Sequence, residues 1–180
     1  MHTNIEIKAK ISDRNKIDEV AGQLSDTPVE IIRQKDIYYN IERGRLKLRI
    51  INDKESELIF YRRNNVSGPK KSFYIIHKED SPESLDLILS SSLGQLGTVE
   101  KKRYLYLTGQ TRIHVDDVRE LGSFVELEVV LKDKQPDHEG IRIANHIMNQ
   151  LDIVKEQLVQ SSYIDLLISK KTDETPEIQD

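Results

Sequence analysis

Two glutamates, Glu126 and Glu128, alternate with apolar residues in the segment Phe124-Val125-Glu126-Leu127-Glu128. Because successive side chains of a β-strand point to opposite faces, both carboxylates lie on one face of a strand. Carboxylate oxygens are hard ligands that suit Mg²⁺ or Mn²⁺ better than zinc. Strand parity places Glu6 and Asp116 on matching faces of other segments, so four carboxylates are candidate metal ligands.

Cations alternate with apolar residues in the same way, as in Arg45-Leu46-Lys47-Leu48-Arg49. An excess of cations on enclosed faces would need an anion to neutralise it. Arginine forks suit phosphate oxygens in particular. The sequence therefore predicts a site for a metal-bound polyphosphate. Its candidate phosphate-binding residues are Lys8, Lys10, Lys47, Arg49, Arg63, Lys101, Arg103 and Arg112.

Strands and helices that could position these residues follow from the spacing of apolar side chains. Four helices are predicted. Three cover 13–24, 138–151 and 163–168, and the other begins at Ser81-Pro82. Asp13 is the predicted N-cap of helix 13–24. Ser81 is the predicted cap of the helix that begins at Ser81-Pro82, and Leu85, Ile88 and Leu89 form its apolar stripe. The predicted strands cover 4–11, 29–40, 44–51, 56–63, 71–78, 97–108, 110–117 and 123–131.

This element order predicts an α+β fold, an antiparallel β-barrel of about eight strands with helices packed outside. Alternating charge on an antiparallel strand is also typical of a solvated face. However, the opposite faces of these strands are as apolar as a helix-covered surface, and the pattern recurs from strand to strand. We therefore expect the charged faces to line the inside of the barrel.

Length and composition set the limits of this interpretation. The chain has 180 residues, 37% hydrophobic and 32% charged, with a net charge of −4 and no cysteine. We expect one domain over residues 1–169 and a disordered acidic tail over 170–180. Disulfides and thiolate ligands are excluded. Neither nucleic acid nor a membrane is an expected partner, and the expected location is cytoplasmic.

The same segments resemble the CYTH family of triphosphate tunnel metalloenzymes, which contains class IV adenylate cyclases and thiamine triphosphatases. The resemblance covers about residues 4–168 and is closest to the class IV adenylate cyclase branch. One departure is Asn4, an amide where the family has a first glutamate. The motifs, in order, are Glu6-Ile7-Lys8, Gln34-Lys35-Asp36-Ile37-Tyr38, Leu46-Lys47-Leu48-Arg49, Lys101-Lys102-Arg103, Val115-Asp116 and Leu121-Gly122-Ser123-Phe124-Val125-Glu126-Leu127-Glu128.

The resemblance implies an eight-stranded tunnel in which basic side chains bind a triphosphate and glutamates hold Mg²⁺ or Mn²⁺. The leading expectation is conversion of ATP to cyclic AMP and pyrophosphate, with Lys8 and Arg49 as candidate catalytic residues. The proton acceptor stays open between a lysine of lowered pKa and a metal-bound hydroxide. His114 has inward parity, but a lone histidine is more often a packing residue, and we do not assign it.

Two other functions are compatible with the same residues. A triphosphatase acting on inorganic triphosphate or thiamine triphosphate needs the same cations and metal, with water as the nucleophile. A non-catalytic module binding nucleotides or polyphosphate is disfavoured, since anion binding alone would not need Glu6, Glu126 and Glu128. Barrels of this family are often dimers, so a homodimer is also an expectation, although no interface stands out in the sequence.

Overall fold

The computed structural model describes residues 2–63 and 68–174 of the chain. Four α-helices occur in this part, namely α1 (Arg14–Leu24), α2 (Pro82–Leu93), α3 (Asp137–Gln150) and α4 (Tyr163–Glu174), with a short 3-10 turn at Lys155–Gln157. The strands are β1 (His2–Lys10), β2 (Glu30–Tyr39), β3 (Arg45–Ile51), β4 (Glu55–Arg63), β5 (Lys70–Glu79), β6 (Gln95–Thr108), β7 (Thr111–Val118) and β8 (Gly122–Val130).

The strands form one closed barrel in the order β1-β5-β4-β3-β2-β6-β7-β8. Each neighbouring pair is antiparallel, and β1 closes the barrel by pairing with both β5 and β8. Closure removes exposed sheet edges, and a barrel of this size encloses either packed side chains or one small ligand. The predicted eight-stranded antiparallel α+β barrel is therefore confirmed.

Helices α1 and α3 cover the apolar outer faces of β1 and β6 to β8. Asp13 caps α1 as predicted, since its side chain accepts a hydrogen bond from the backbone N–H of Lys16. Gly140 of α3 lies so close to β1 that an added Cβ would stand 2.7 Å from Ile5 Cγ1. This close packing fixes the parity of β1, with its isoleucines outward and its charged residues inward.

Helix α4 closes one end of the barrel. The ring of Tyr163 meets Phe124 edge-on, with centroids 5.1 Å apart, and Gly97 of β6 lies under Ile164 with no room for a Cβ. The helix continues to Glu174, beyond the predicted end at residue 168. Residues 170–174 of the predicted tail therefore belong to a helix, and 175–180 lie outside the described residues.

Helix α2 differs from the sequence-based expectation in two respects. Ser81 stands at the N-cap position, but its side chain makes no capping hydrogen bond. Ile88 is 62% exposed and does not belong to the core, whereas Leu85 and Leu89 pack against outward residues of β2 and β3. Apolar spacing alone could not show that α2 covers the barrel with so narrow a face. Within the described ranges, no helix is both long and apolar enough to cross a membrane.

Candidate active site

A cavity of about 320 Å³ lies inside the barrel and collects most of the predicted site residues. The strand register explains this, because all of them occupy inward positions. A larger groove of about 620 Å³ lies at the surface beside Arg33, Asp53, Glu100 and Arg119, but these residues form exposed ion pairs. The predicted residues that line the inner cavity are Glu6, Lys8, Lys47, Arg49, Lys101, Arg103, Arg112, Glu126 and Glu128.

Two predicted site residues with described side chains, Lys10 and Asp116, do not line this cavity. Lys10 has the expected parity, but it is exposed at the end of β1, where its Nζ lies 5.9 Å from the ring centroid of Phe124. Asp116 is fully buried beside the cavity. Arg63 ends β4, and its side chain lies outside the described residues.

Asp36 holds three of the candidate phosphate-binding cations. Its carboxylate accepts hydrogen bonds from Lys47 Nζ at 2.8 Å and from Nε and Nη2 of Arg49 at 2.7 and 3.0 Å. Lys101 Nζ lies 3.8 Å away. Burial alone would raise the pKa of Asp36, but the three cations hold that pKa well below its usual range. Asp36 therefore orients these side chains, a role that its inward parity did not reveal.

Asp116 has the corresponding role on the other side of Lys101. It accepts from Nε and Nη2 of Arg103 at 2.7 and 2.6 Å and from the hydroxyl of Tyr163 at 3.0 Å. Lys101 Nζ lies 3.7 Å from it. Because both of its oxygens are engaged in this way, the structure places Asp116 as the partner of Arg103, apart from the cluster of potential metal ligands described below.

Lys47 has the electrostatic environment of a proton acceptor. Burial and the charge of Arg49 lower the pKa of Lys47 to about 7, although Asp36 acts in the opposite direction. The attraction of Asp36 is shared among three cations, so it does not offset the loss of solvation. The lowered pKa makes Lys47 a candidate proton acceptor at neutral pH.

Potential metal ligands converge at Glu126, Glu128 and His114, which each offer one donor atom within 4.8 Å of the others. Glu6 lines the same cavity directly opposite Glu128 in the strand register. Burial would raise the pKa of Glu126, but Lys8 and Arg103 hold it well below its usual range. Glu126 is thus ionised at neutral pH, as a metal ligand must be.

His114 contributes a neutral nitrogen to this cluster. Burial, and next the charge of Arg103, lower the pKa of His114 to about 3. Its Nδ1 is buried and has no hydrogen-bond partner among the described residues. Two carboxylates and an unpartnered imidazole nitrogen are a donor set that fits a divalent cation. The sequence showed that His114 faces inward but not that it lies beside both glutamates.

Carboxylates of the protein itself pair with the cations inside the barrel, which adds to the sequence argument. An excess of cations was expected to require a bound anion. Carboxylates of the protein pair with these cations, so part of the cation charge is compensated without a ligand. The pairs are Lys8–Glu126, Lys47–Asp36, Arg49–Asp36, Arg103–Asp116, Arg103–Glu126 and Arg112–Glu128.

Apolar side chains line part of the cavity beside charged residues such as Glu57 and Arg112, a feature that polar parity did not reveal. Because neighbouring strands are antiparallel, the start of β2 and the ends of β3, β5 and β6 lie at the end of the barrel opposite α4. Ile76 is 42% exposed there and directly opposite Ile59 on β4. We call this set the apolar rim; it consists of Ile32, Ile51, Ile59, Ile76 and Leu105.

A closed antiparallel barrel with buried ion pairs around a polar cavity, and a carboxylate–histidine cluster within it, defines a ligand-binding barrel of the tunnel type. Residues 2–163 match the CYTH domain family. The chain belongs to this family, as the sequence motifs predicted.

Curated and solved relatives agree with this assignment. A Methanocaldococcus jannaschii protein described as a "putative adenylate cyclase" is 27% identical over 169 residues, which are 90% of this chain and 97% of the relative. The structure of the PH1012 protein from Pyrococcus horikoshii superposes with a TM-score of 0.79 at 21% identity, covering 91% of this chain and 98% of the other.

A third relative, from Hippeastrum, is described as a "putative adenylyl cyclase" with a dominant triphosphatase activity. It superposes with a TM-score of 0.66 at 11% identity and covers 100% of both chains. At 11% identity, this superposition shows only a shared fold.

Proposed function

We propose that this protein is a metal-dependent enzyme that converts ATP to cyclic AMP and pyrophosphate. The observation that best supports this reaction is the presence of both charged and apolar side chains in the lining of one cavity. A triphosphate chain suits the charged side chains, because a buried anion needs charged partners. A nucleoside suits the apolar rim, because ligand sites bind flat organic groups mainly through apolar side chains. The description of the M. jannaschii relative supports the same reaction.

Phosphate binding is assigned to the cations that the buried aspartates orient. Asp36 engages one edge of the Arg49 guanidinium, and a planar guanidinium has a second edge with further donors. Arg103 is held by Asp116 in a similar manner. Side chains fixed in this way lose little freedom when they bind phosphate, which favours a positioned triphosphate. Lys8, Lys101 and Arg112 complete the proposed phosphate site, and Arg63 remains a candidate.

Metal binding is assigned to Glu126 and Glu128, with Glu6 beside them. Mg²⁺ or Mn²⁺ held there would neutralise charge on the phosphate oxygens and on the departing pyrophosphate. Asn4 lines the same cavity and is 2% exposed. An amide adds no negative charge at that position, so the carboxylate cluster favours a single ion.

Lys47 is the proposed general base. The ribose 3′-oxygen attacks the α-phosphorus, the bond from that phosphorus to the leaving pyrophosphate breaks, and the 3′-hydroxyl proton passes to the Lys47 amine. Lys47 lies directly opposite Ile59 in the strand register, and both side chains line the cavity. Its pKa of about 7 suits this transfer at neutral pH. Arg49, beside it, would orient the phosphates for in-line attack.

Hydrolysis of inorganic triphosphate or thiamine triphosphate is the second candidate. It is favoured by the description of the Hippeastrum relative, which names a dominant triphosphatase activity. The charged interior would serve this reaction equally well, since water would replace the ribose hydroxyl as the nucleophile. The apolar rim would then contact thiamine, or have no role with the inorganic substrate.

Product analysis distinguishes these reactions. Purified protein is incubated with Mg²⁺ or Mn²⁺ and, separately, with ATP, inorganic triphosphate and thiamine triphosphate. Cyclic AMP and pyrophosphate from ATP are the expected products. Orthophosphate from either of the other substrates, without cyclic AMP from ATP, would establish the triphosphatase instead, and no turnover would favour a binding module.

Paired variants test the site within the same assay. Glu128→Gln removes a proposed metal ligand and should abolish metal-dependent turnover while the barrel stays folded. Glu100→Gln is the matched control, because Glu100 pairs with Arg119 on the exposed surface and should retain full activity. Equal activities of the two variants would refute the ligand assignment.

A further inference from the structure

His114 is held in an unusual position for a structural histidine. Its side chain projects from β7 into the cavity and is 4% exposed. The strand register places it directly between Glu126 of β8 and Leu105 of β6. Packing alone would leave both ring nitrogens to find hydrogen-bond partners, as buried polar groups do in the great majority of cases.

Nδ1 of His114 has not found such a partner in the described part of the chain. The nearest carboxylate oxygen, Oε1 of Glu128, lies 3.8 Å away, which is too far for a hydrogen bond. Nδ1 and this carboxylate oxygen therefore face each other without a hydrogen bond between them. That arrangement becomes favourable when a cation lies between them.

The separation suits two ligands of one ion. Ligand atoms at about 2.1 Å from a small divalent ion lie at most about 4.2 Å from each other. The distance of 3.8 Å between Nδ1 and Oε1 is within this limit. An oxygen of Glu126 belongs to the same group of donor atoms, which lie within 4.8 Å of one another, so a small approach of the side chains would let all three share one ion. The unpartnered nitrogen and the spacing of the group are independent observations, and both indicate coordination.

We infer that His114 is a direct ligand of the divalent ion through Nδ1, together with Glu126 and Glu128, and that this nitrogen makes the site prefer Mn²⁺ to Mg²⁺. The inference rests on the metal dependence in the proposed function and adds the ligand that determines which ion binds. Mg²⁺ favours all-oxygen ligand sets, whereas first-row transition ions bind imidazole more readily.

Pulsed electron paramagnetic resonance of bound Mn²⁺ tests the assignment without any turnover. A coordinated imidazole nitrogen gives a ¹⁴N hyperfine coupling, and incorporation of ¹⁵N-labelled histidine should change that coupling in the unmodified protein. His114→Gln removes the donor at Nδ1 and should abolish the coupling. His146→Gln is the matched control because His146 is exposed on α3, and it should retain the coupling.

Titration provides the second measurement. His114→Gln should weaken Mn²⁺ binding by about tenfold and weaken Mg²⁺ binding, measured by competition, by much less. Bound Mn²⁺ without a histidine coupling in the wild type would overturn the role of His114 and leave metal dependence intact. Failure of the wild type to bind Mn²⁺ would overturn both. Because the isotope measurement uses the wild type, misfolding of the variant would not prevent the test.

Discussion

Replacing Asp36 by asparagine should destabilise the barrel strongly. The side chain of Asp36 is 1% exposed and pairs with Lys47, Arg49 and Lys101, whose side chains are 9%, 15% and 3% exposed. Removing one partner of a buried ion pair costs about 3–5 kcal/mol, because the remaining charge is left uncompensated. Lys47 lowers this cost by losing its proton, since its pKa is already about 7. We therefore expect a loss near the lower limit, about 3 kcal/mol.

Urea unfolding at pH 7 measures this loss, and Asp53→Asn is the matched control. Asp53 pairs with Arg33 on the surface, where the side chains are 83% and 73% exposed, and such a pair contributes at most about 1 kcal/mol. Its backbone φ of 58° is one that asparagine also adopts readily. Equal free energies of unfolding for the two variants would refute the role of Asp36 as a buried anchor.

Acid titration provides an independent check with a definite sign. The pKa of Asp36 is lowered in the folded state, so its stabilising contribution is present above its unfolded pKa of about 3.9 and is lost as the pH falls below that value. The wild type should lose this contribution on acidification. Asp36→Asn has no carboxyl group there, so the free-energy difference between the two proteins should shrink as the pH falls.

Three further predictions concern turnover. Lys47→Met should lower kcat by about 10²–10⁴-fold, and the wild-type rate should rise through pH 7 as the amine loses its proton; a flat profile between about pH 6 and 8 would contradict a base with this pKa. Arg49→Ala should raise KM for the triphosphate by about tenfold or more. Arg49→Lys should not restore the wild-type KM, because lysine lacks the planar fork. An unchanged KM in Arg49→Ala would count against phosphate binding by Arg49. Ile76→Asn should weaken ATP binding and leave inorganic triphosphate binding unchanged in calorimetry, whereas equal effects on both ligands would exclude a nucleoside at the apolar rim.

Strand parity predicted the inward residues well because the outer faces leave little choice. Ile5 and Ile7 pack under α3, and a shift of one residue would bury Glu6 and Lys8 there instead. The same reasoning was less informative at a strand end. Lys10 has inward parity but pairs with Phe124, which packs against Tyr163. Lys10 therefore lies at the end of the barrel that α4 closes. The periodicity of one strand cannot predict which end a helix closes, so it could not show that Lys10 lies outside the cavity.

Pairing among the inward residues could not be predicted, because it depends on which strands are neighbours. Asp36 and Asp116 are far apart in sequence, yet Lys101 lies within 4 Å of both. Only the closed order of strands brings β2, β6 and β7 together. The apolar rim was missed for a different reason: selecting the polar parity as the interior directs attention away from inward positions that are apolar, such as Ile32 and Ile59.

The ion pairs indicate why metal and phosphate should bind cooperatively at the proposed site. Glu126 accepts contacts from Lys8 and Arg103, and Glu128 accepts contacts from Arg112. When these carboxylates turn to a divalent ion, the three cations lose these contacts, although Arg103 keeps Asp116, and their freed donors become available to phosphate oxygens. Phosphate, in turn, relieves the cost of separating them from the carboxylates. By linkage, metal must then strengthen phosphate binding by the same factor as phosphate strengthens metal binding. The ion pairing inside the cavity is therefore compatible with polyanion binding, because each ligand compensates the charges that the other displaces.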